Sequence, residues 1–436
     1  MQVHQIRAPW HQLPIGLDGG GGATLVCSDE PDSADRGGSL ESSIWNKHVS
    51  QSVVWLAQGF REYRRAFLHM VQARLGEAGV TFIAAHTHAA LHTNQPGELR
   101  DTCPSMPLRA KRWRPLGREV LVSAFPPEWL NADLVVLPES IAYPTAWSIL
   151  AARAVRNRRT AIFGHGTDFA KPGRDDLAEK LNRWRMRHLD WWFAYNEPSV
   201  DAVVDRGMPK DRVTSVQNTL DTEGLATVRA QLTNEEHQAL RSELGVGAGP
   251  IGLFMGALYP NKRPDLLIAI AQRIRTRHPG FALLIVGDGE LATTVEQARA
   301  ARPWVVRVPG DTTEGRARYW AIADVALYPS AAGLAINEAL RLGVPPVISS
   351  RFPHGPEASY VQHDVSGLIV DSNDPQVIAD QVADLLSDAE RSKRLSAGAR
   401  AVGSELTIDE MVKRFSHGVL EALERAPHRV EERGQQ

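Results

Sequence analysis

From Ser52 onward the chain alternates short apolar runs with stretches of helical period. Ser52-Val53-Val54-Trp55-Leu56-Ala57 is apolar but too short for a helix, which predicts a buried strand. After Gly59, apolar residues at Phe60, Tyr63, Phe67, Leu68, Met70, Val71 and Leu75 fall on one helical face. Gly76 and Gly79 close that helix, and Val80 to His86 predicts the next strand. The alternation returns with a strand at Ala132–Leu137, a helix at Trp147–Arg156 and a strand at Thr160–Gly164. Short buried runs follow at Trp191–Tyr195 and Val213–Val216, and residues 234–243 read as a helix.

Gly245-Val246-Gly247-Ala248-Gly249-Pro250 interrupts the pattern and predicts a hinge. Beyond it, strands are expected at Ile251–Met255, Ala282–Val286, Val305–Val308, Val325–Tyr328, Pro346–Ser349 and Leu368–Val370. Helices fall between them, including Arg263–Thr276, Leu291–Ala301, Gly315–Ala323 and Leu334–Leu342. Strands alternating with helices imply parallel sheets covered on both faces. The expected architecture is α/β, with two Rossmann-like domains facing a cleft: residues 51–245 first, residues 246–425 second. The last helical stretch, Ile408 to Leu423, is expected to reach back to the first domain. Residues 1–50 have no sustained period, which predicts a flexible extension, and residues 426–436 read as a polar tail.

Composition narrows the classes. The 436 residues exceed what one core usually holds, and 43% hydrophobic with 23% charged residues is ordinary globular usage. Cys27 and Cys103 are the only cysteines, too few for a disulfide framework or a four-thiolate metal site. They fit a reducing, cytoplasmic setting. No apolar run approaches the roughly 20 residues of a membrane span, and the first 30 residues carry no apolar core of a secretory signal. The net charge of −2 gives no reason to expect nucleic acid as a partner. Residues 51–230 carry 24 Lys and Arg against 19 Asp and Glu, while residues 231–436 carry 22 against 26. A basic first half suits an anionic partner.

Candidate chemistry belongs at strand-to-helix junctions, because ligands of open α/β sheets bind at the carboxyl ends of strands. Gly256 ends a strand, and Lys262 and Arg263 precede a helix whose first turn holds Pro264. A cationic pair on the positive end of a helix suits a phosphate; a solvated loop pair is the other reading. Gly287-Asp288-Gly289 is a second glycine turn. Ser330-Ala331-Ala332-Gly333-Leu334 runs into the helix that carries Glu338, and Glu357 lies in a fourth loop at His354-Gly355-Pro356. In the first domain, His165 between Gly164 and Gly166, and Glu139 after Pro138, occupy equivalent edges. No metal-ligand spacing, phosphate-loop or nucleophile-elbow motif occurs.

Taken in order, Gly256–Asp265, Gly287-Asp288-Gly289, Asp324 with Tyr328-Pro329-Ser330, Gly333-Leu334 with Glu338-Ala339, and Gly367-Leu368 resemble the family-four (group 1) retaining glycosyltransferases of GT-B fold. Tyr63-Arg64, His165-Gly166 and Asn218-Thr219-Leu220-Asp221 resemble that family's acceptor-side landmarks. The resemblance implies a UDP- or GDP-sugar donor and transfer of a hexose-type sugar, with retention, to a glycan, lipid-linked or small-molecule acceptor. It implies Lys262 on the pyrophosphate, Glu338 on the ribose and His165 reaching the sugar from the opposite lobe. Around them it implies a donor set of Gly256, Arg263, Gly287, Asp288, Gly289, Ser330, Ala332, Gly333, Leu334 and Glu357, with Tyr63, Arg64 and Glu139 on the acceptor side. It implies no metal and no cofactor beyond the nucleotide-sugar substrate. Two positions depart from the family. Ser330 stands where a glutamate pairs with the one eight residues later, and Ala257 where a basic residue follows the first glycine. These departures keep open a catalytically silent protein that binds a nucleotide-sugar or a partner.

Two basic clusters interleave with aromatics: Arg109, Lys111, Arg112, Arg114 and Arg118 around Trp113, and Lys180, Arg183, Arg185 and Arg187 around Trp184. They read either as a face for anionic lipid at the inner side of a membrane or as solvated charge over core tryptophans.

Overall fold

A computed structural model describes residues 51–87, 105–115, 119–167, 177–310 and 312–427. The expected N-terminal extension, Arg118 and the tail from residue 428 lie outside the described residues. The first lobe comprises β1 (Gln51–Ala57), α1 (Arg65–Glu77), β2 (Val80–Thr87), β3 (Ser105–Leu108), β4 (Ala110–Trp113), β5 (Val120–Ser123), β6 (Leu134–Pro138), α2 (Pro144–Val155), β7 (Arg159–Gly164), α3 (Leu177–Arg187), β8 (Trp191–Ala194), α4 (Glu197–Val204) and β9 (Val213–Ser215). The chain continues through α5 (Glu223–Gln231), α6 (Asn234–Glu243), β10 (Ile251–Met255), α7 (Pro264–Arg277), β11 (Ala282–Val286), α8 (Ala292–Ala301), β12 (Val305–Val308), α9 (Thr313–Ala321), β13 (Val325–Tyr328), α10 (Ala335–Arg341), β14 (Pro346–Ser349), β15 (Leu368–Val370), α11 (Pro375–Ser387), α12 (Ala389–Glu405) and α13 (Ile408–Glu424).

The first sheet has the order β3-β2-β1-β6-β7-β8-β9 and the second β12-β11-β10-β13-β14-β15. Their ladders are parallel, as in Val53 opposite Phe82 on one side and Leu134 on the other. In each sheet the strand order reverses at one place: between β1 and β6, and between β10 and β13. Crevices for ligands open at such reversals.

Alternation along β1 explains why the run is apolar throughout. Val53, Trp55 and Ala57 enter one core with α1, while Val54 and Leu56 enter another with Ile149 of α2. The first core is completed by α13, which returns after the second lobe and inserts Met411, Val412, Phe415 and Val419. Phe415 packs 5.3 Å from Trp55 and 4.6 Å from Phe193, centroid to centroid.

The crossover differs from the expected hinge at 245–250. Leu225 of α5 and Leu240 of α6 are buried in the core of the second sheet. The chain therefore leaves the first lobe between Val216 and Thr222, and the second lobe begins with α5. Burial of those two leucines decides the boundary; the glycine-rich segment is a turn inside the second lobe. A further difference lies at 105–123, for which the pattern predicts no element. It forms β3 and an antiparallel hairpin, β4 with β5.

Candidate functional site

At the reversal in the second sheet, the loops after β10 and β13 are tied together. The Lys262 ammonium donates to the Ala331 carbonyl at 2.6 Å, and the Ser330 hydroxyl donates to the Lys262 carbonyl at 2.7 Å. Burial holds the Lys262 pKa below its ordinary value, opposed by the Glu357 charge. A third loop joins them: the Ala332 N–H donates to His354 Nδ1 at 3.1 Å, while His354 Nε2 donates to the Ser349 carbonyl at 2.6 Å. These two bonds assign the neutral tautomer, and burial lowers the His354 pKa accordingly. A side chain at Gly333 would meet nothing within 4 Å, so the loop is open there. Leu334 caps α10 in a helical conformation beside it.

Other predicted donor residues have structural employment. Gly256 and Gly287 lie at adjacent strand ends, and a Cβ on Gly287 would stand 1.9 Å from the Gly256 carbonyl oxygen. A Cβ on Gly289 would stand 2.6 Å from the Leu258 carbonyl oxygen. Gly287 and Gly289 thus admit a neighbouring backbone, while the Cβ position of Gly256 meets only the Phe254 ring, at 3.7 Å. Asp288 pairs with Arg307 and accepts from the Gly310 N–H at 3.1 Å. Arg263 is not paired with Lys262 in a clamp. Its backbone is left-handed (φ 45°), and its guanidinium bonds Asp265 at 2.7 Å on the surface. Glu338 is 1% exposed. It accepts from Trp320 Nε1 at 2.9 Å and pairs with Arg316, so a ribose contact requires that pair to exchange.

At the reversal in the first sheet, a cavity of about 270 Å³ is lined by the carboxyl ends of β1, β6 and β7. Tyr63, Arg64, Glu139 and His165, separated by 102 positions in sequence, all line it together with Tyr195. The Glu139 carboxylate accepts the His165 N–H at 2.8 Å, holding the Gly164-His165-Gly166 turn. Burial pushes its pKa up to about 7, against the lowering effect of that backbone bond and of Arg185. Arg185 is itself buried and donates to the Glu139 carbonyl at 2.6 Å. The His165 and Tyr195 rings lie 4.0 Å apart. Arg64 is 6% exposed and stacks against Tyr63, Phe67 and Phe163 at 5.2–5.7 Å.

Between the two reversals runs the crossover segment. The Asn218 side chain accepts from Arg64 of the first lobe and donates to Glu357 Oε1 of the second at 2.8 Å. The Asn337 amide holds the segment from α10, donating to the Asn218 carbonyl at 3.1 Å. Asn196, the N-cap of α4, donates to the Pro356 carbonyl beside Glu357. Sequence reasoning missed Arg316, Trp320 and Tyr195 because nothing local marks them; only burial next to Glu338 and His165 does.

The aromatic members of the basic clusters are not in the core. Trp113 is 65% and Trp184 51% exposed, with Lys111, Arg112, Lys180 and Arg183 exposed beside them. Among the described residues no helix is long and apolar enough to cross a membrane, and no group of three or more His, Cys, Asp or Glu is placed to hold a metal ion.

Residues 238–402 match the family model for group 1 glycosyl transferases. A GDP-mannose-dependent alpha-(1-6)-phosphatidylinositol monomannoside mannosyltransferase of Mycobacterium tuberculosis is 30% identical over 190 residues, which are 41% of this chain and 49% of that protein. A D-inositol 3-phosphate glycosyltransferase of Xylanimonas cellulosilytica is 32% identical over 203 residues, 44% of this chain and 47% of that protein. The chain thus spans about half the length of the curated relatives it matches. Over 85% of this chain and 100% of the other, the fold is similar to crystalline Anabaena Alr3699/HepE in complex with UDP, with TM-score 0.63 and 14% identity. Sucrose-phosphate synthase from Thermosynechococcus elongatus is similar with TM-score 0.61 and 16% identity, over 85% and 98% of the two chains.

Proposed function

We propose, from the premise that residues 238–402 belong to the group 1 glycosyl transferases within a GT-B fold, that this chain transfers a hexose-type sugar from a nucleotide-sugar. The donor is a UDP- or GDP-sugar, and the transfer retains configuration. The observation that carries this reading is the pairing of the two sheet reversals. One presents a half-buried ammonium, Lys262, beside the open Gly333 loop. The other presents a polar cavity with His165 and Glu139. Diphosphate leaving from the sugar gathers negative charge, and Lys262 ahead of α7 meets that charge where helix N–H groups add to it. This role needs no metal ion. His165 lies on the opposite lobe, at the edge from which the sugar hydroxyls would be reached. The cavity beside it suits a hydroxylated acceptor, lipid-linked, glycan or small. The phosphatidylinositol monomannoside and D-inositol 3-phosphate in the relatives' names support that class. Exposed Trp113 and Trp184 among basic residues support work at the inner face of an anionic membrane.

A second reading has its own observation. Glu338 is occupied by Arg316 and Trp320, and Ser330 spends its hydroxyl on the Lys262 carbonyl. A protein of this fold that binds nucleotide-sugars without turnover would look the same. Thermal unfolding with UDP, GDP, ADP, TDP and their common sugars tests both. A ligand at 100 times its Kd adds about 2.7 kcal/mol. We expect one base to shift wild type, Lys262→Ala to lose the shift, and the matching nucleotide-sugar to be hydrolysed or transferred. A shift without turnover favours the silent reading; no shift with any nucleotide ends both.

A further inference from the structure

Arg64, Asn218 and Glu357 are buried, come from three separated parts of the chain and are hydrogen-bonded in series. The series leads from one candidate site to the other. Arg64 lines the first-lobe cavity, and Glu357 lies beside the loop that Lys262 holds: a Cβ on Gly355 would stand 2.8 Å from Glu357 Oε2 and 2.9 Å from the Ala332 carbonyl oxygen, next to the Ala331 carbonyl that accepts from Lys262. Asn218 lies between them on the crossover and has a single workable orientation. Its Oδ1 faces a guanidinium that only donates, and its Nδ2 faces a carboxylate that accepts. Rotating the amide by half a turn would set donor against donor and oxygen against oxygen. The backbone around it is also tied down, by the Asn218 N–H on the Tyr195 carbonyl and by Asn337 on the Asn218 carbonyl. Glu357 in turn is the second residue of the 3-10 turn Pro356–Tyr360, which Asn196 grips from the first lobe.

We propose that Asn218 is a positioning residue for the anion-binding loop: through its hydrogen bond to Glu357 it fixes the turn at 355–357 against the loop that Lys262 holds, and it thereby links nucleoside diphosphate affinity to Arg64 in the opposite lobe's cavity. The proposal rests on the reading of the Lys262 loop as the diphosphate site. The turn that carries Glu357 is then held from across the cleft, and occupancy of either site bears on the other through one shared amide.

An exchange of donor and acceptor tests this with nearly isosteric changes. Asn218→Asp retains the acceptor for Arg64 but sets a carboxylate against Glu357; UDP or GDP binding measured by titration calorimetry should weaken about ten-fold, the scale of a hydrogen bond lost at a buried charge. Combining Asn218→Asp with Glu357→Gln re-forms the bond with donor and acceptor exchanged and restores the wild-type net charge. Affinity should return to within about three-fold of wild type, a recovery that a Glu357 carboxylate touching the nucleotide directly would not allow. Thermal unfolding of each variant without nucleotide shows that it is folded. Unchanged affinity in Asn218→Asp, or no recovery in the double variant, overturns the proposal while leaving the diphosphate site standing. Failure of wild type to bind either UDP or GDP overturns that site and this proposal with it.

Discussion

Glu139 is the residue whose environment departs furthest from what its neighbours in sequence announce. It follows a buried strand, and its carboxylate is turned back to hold the His165 turn. Burial raises its pKa from 4.5 to about 7. The protonated form is therefore the one the fold favours. Its contribution to stability is fully present below pH 4.5 and is lost as the pH rises through about 7. Urea unfolding should show a loss of stability between pH 5 and pH 7.5 that Glu139→Gln reduces; identical slopes in the two proteins would remove Glu139 as the cause. At this scale the candidate site was only partly legible. Lys262, Gly333, His165 and Glu139 are where junction reasoning puts them. Arg263 and Glu338 also lie at such junctions but are turned to partners that junction reasoning does not reveal, Asp265 in one case, Arg316 and Trp320 in the other. Side-chain direction is set by what packs alongside, and adjacent sequence does not contain it.

Among elements, α13 is the one that carries the chain from the second lobe back to the first. It follows the whole second lobe, yet Phe415 completes an aromatic cluster with Trp55, Phe67, Phe163 and Phe193 in the first. Phe415 is fully buried, so Phe415→Ala removes ring contacts on several sides and leaves a cavity. A loss of about 3–5 kcal/mol is expected in urea unfolding. A cost below about 1 kcal/mol would mean that the helix does not depend on this anchor. The strands were legible because buried parallel strands are apolar on both faces, and Ile251–Met255 and Ala282–Val286 form as the pattern predicts. The β4–β5 hairpin was not, since Ala110-Lys111-Arg112-Trp113 has little apolar content and is mostly exposed.

On the scale of the whole molecule, the exposed Trp113, Val122, Phe125, Leu181 and Trp184 belong to the first lobe, which is also its basic half. Aromatic side chains among Lys and Arg suit the interface of an anionic bilayer. Flotation with vesicles rich in phosphatidylserine should recover wild type at low salt. Trp113→Ala combined with Trp184→Ala, or high salt, should release it. Wild type left entirely in the soluble fraction at low salt would sink the membrane reading.

The sequence by itself determined the two parallel sheets, because alternation of apolar runs with helical periods admits few other packings. It also determined which junctions carry glycine, lysine and histidine, because those residue types are local facts. Tertiary structure alone decided that the lobes part at 216–222, since only burial of Leu225 and Leu240 reveals which core α5 and α6 join. It alone decided that Tyr63, Arg64, Glu139 and His165 share one cavity and that Asn218 bridges Arg64 to Glu357. Those contacts link residues as far as 154 positions apart, and chain separation of that length leaves no periodic trace to read.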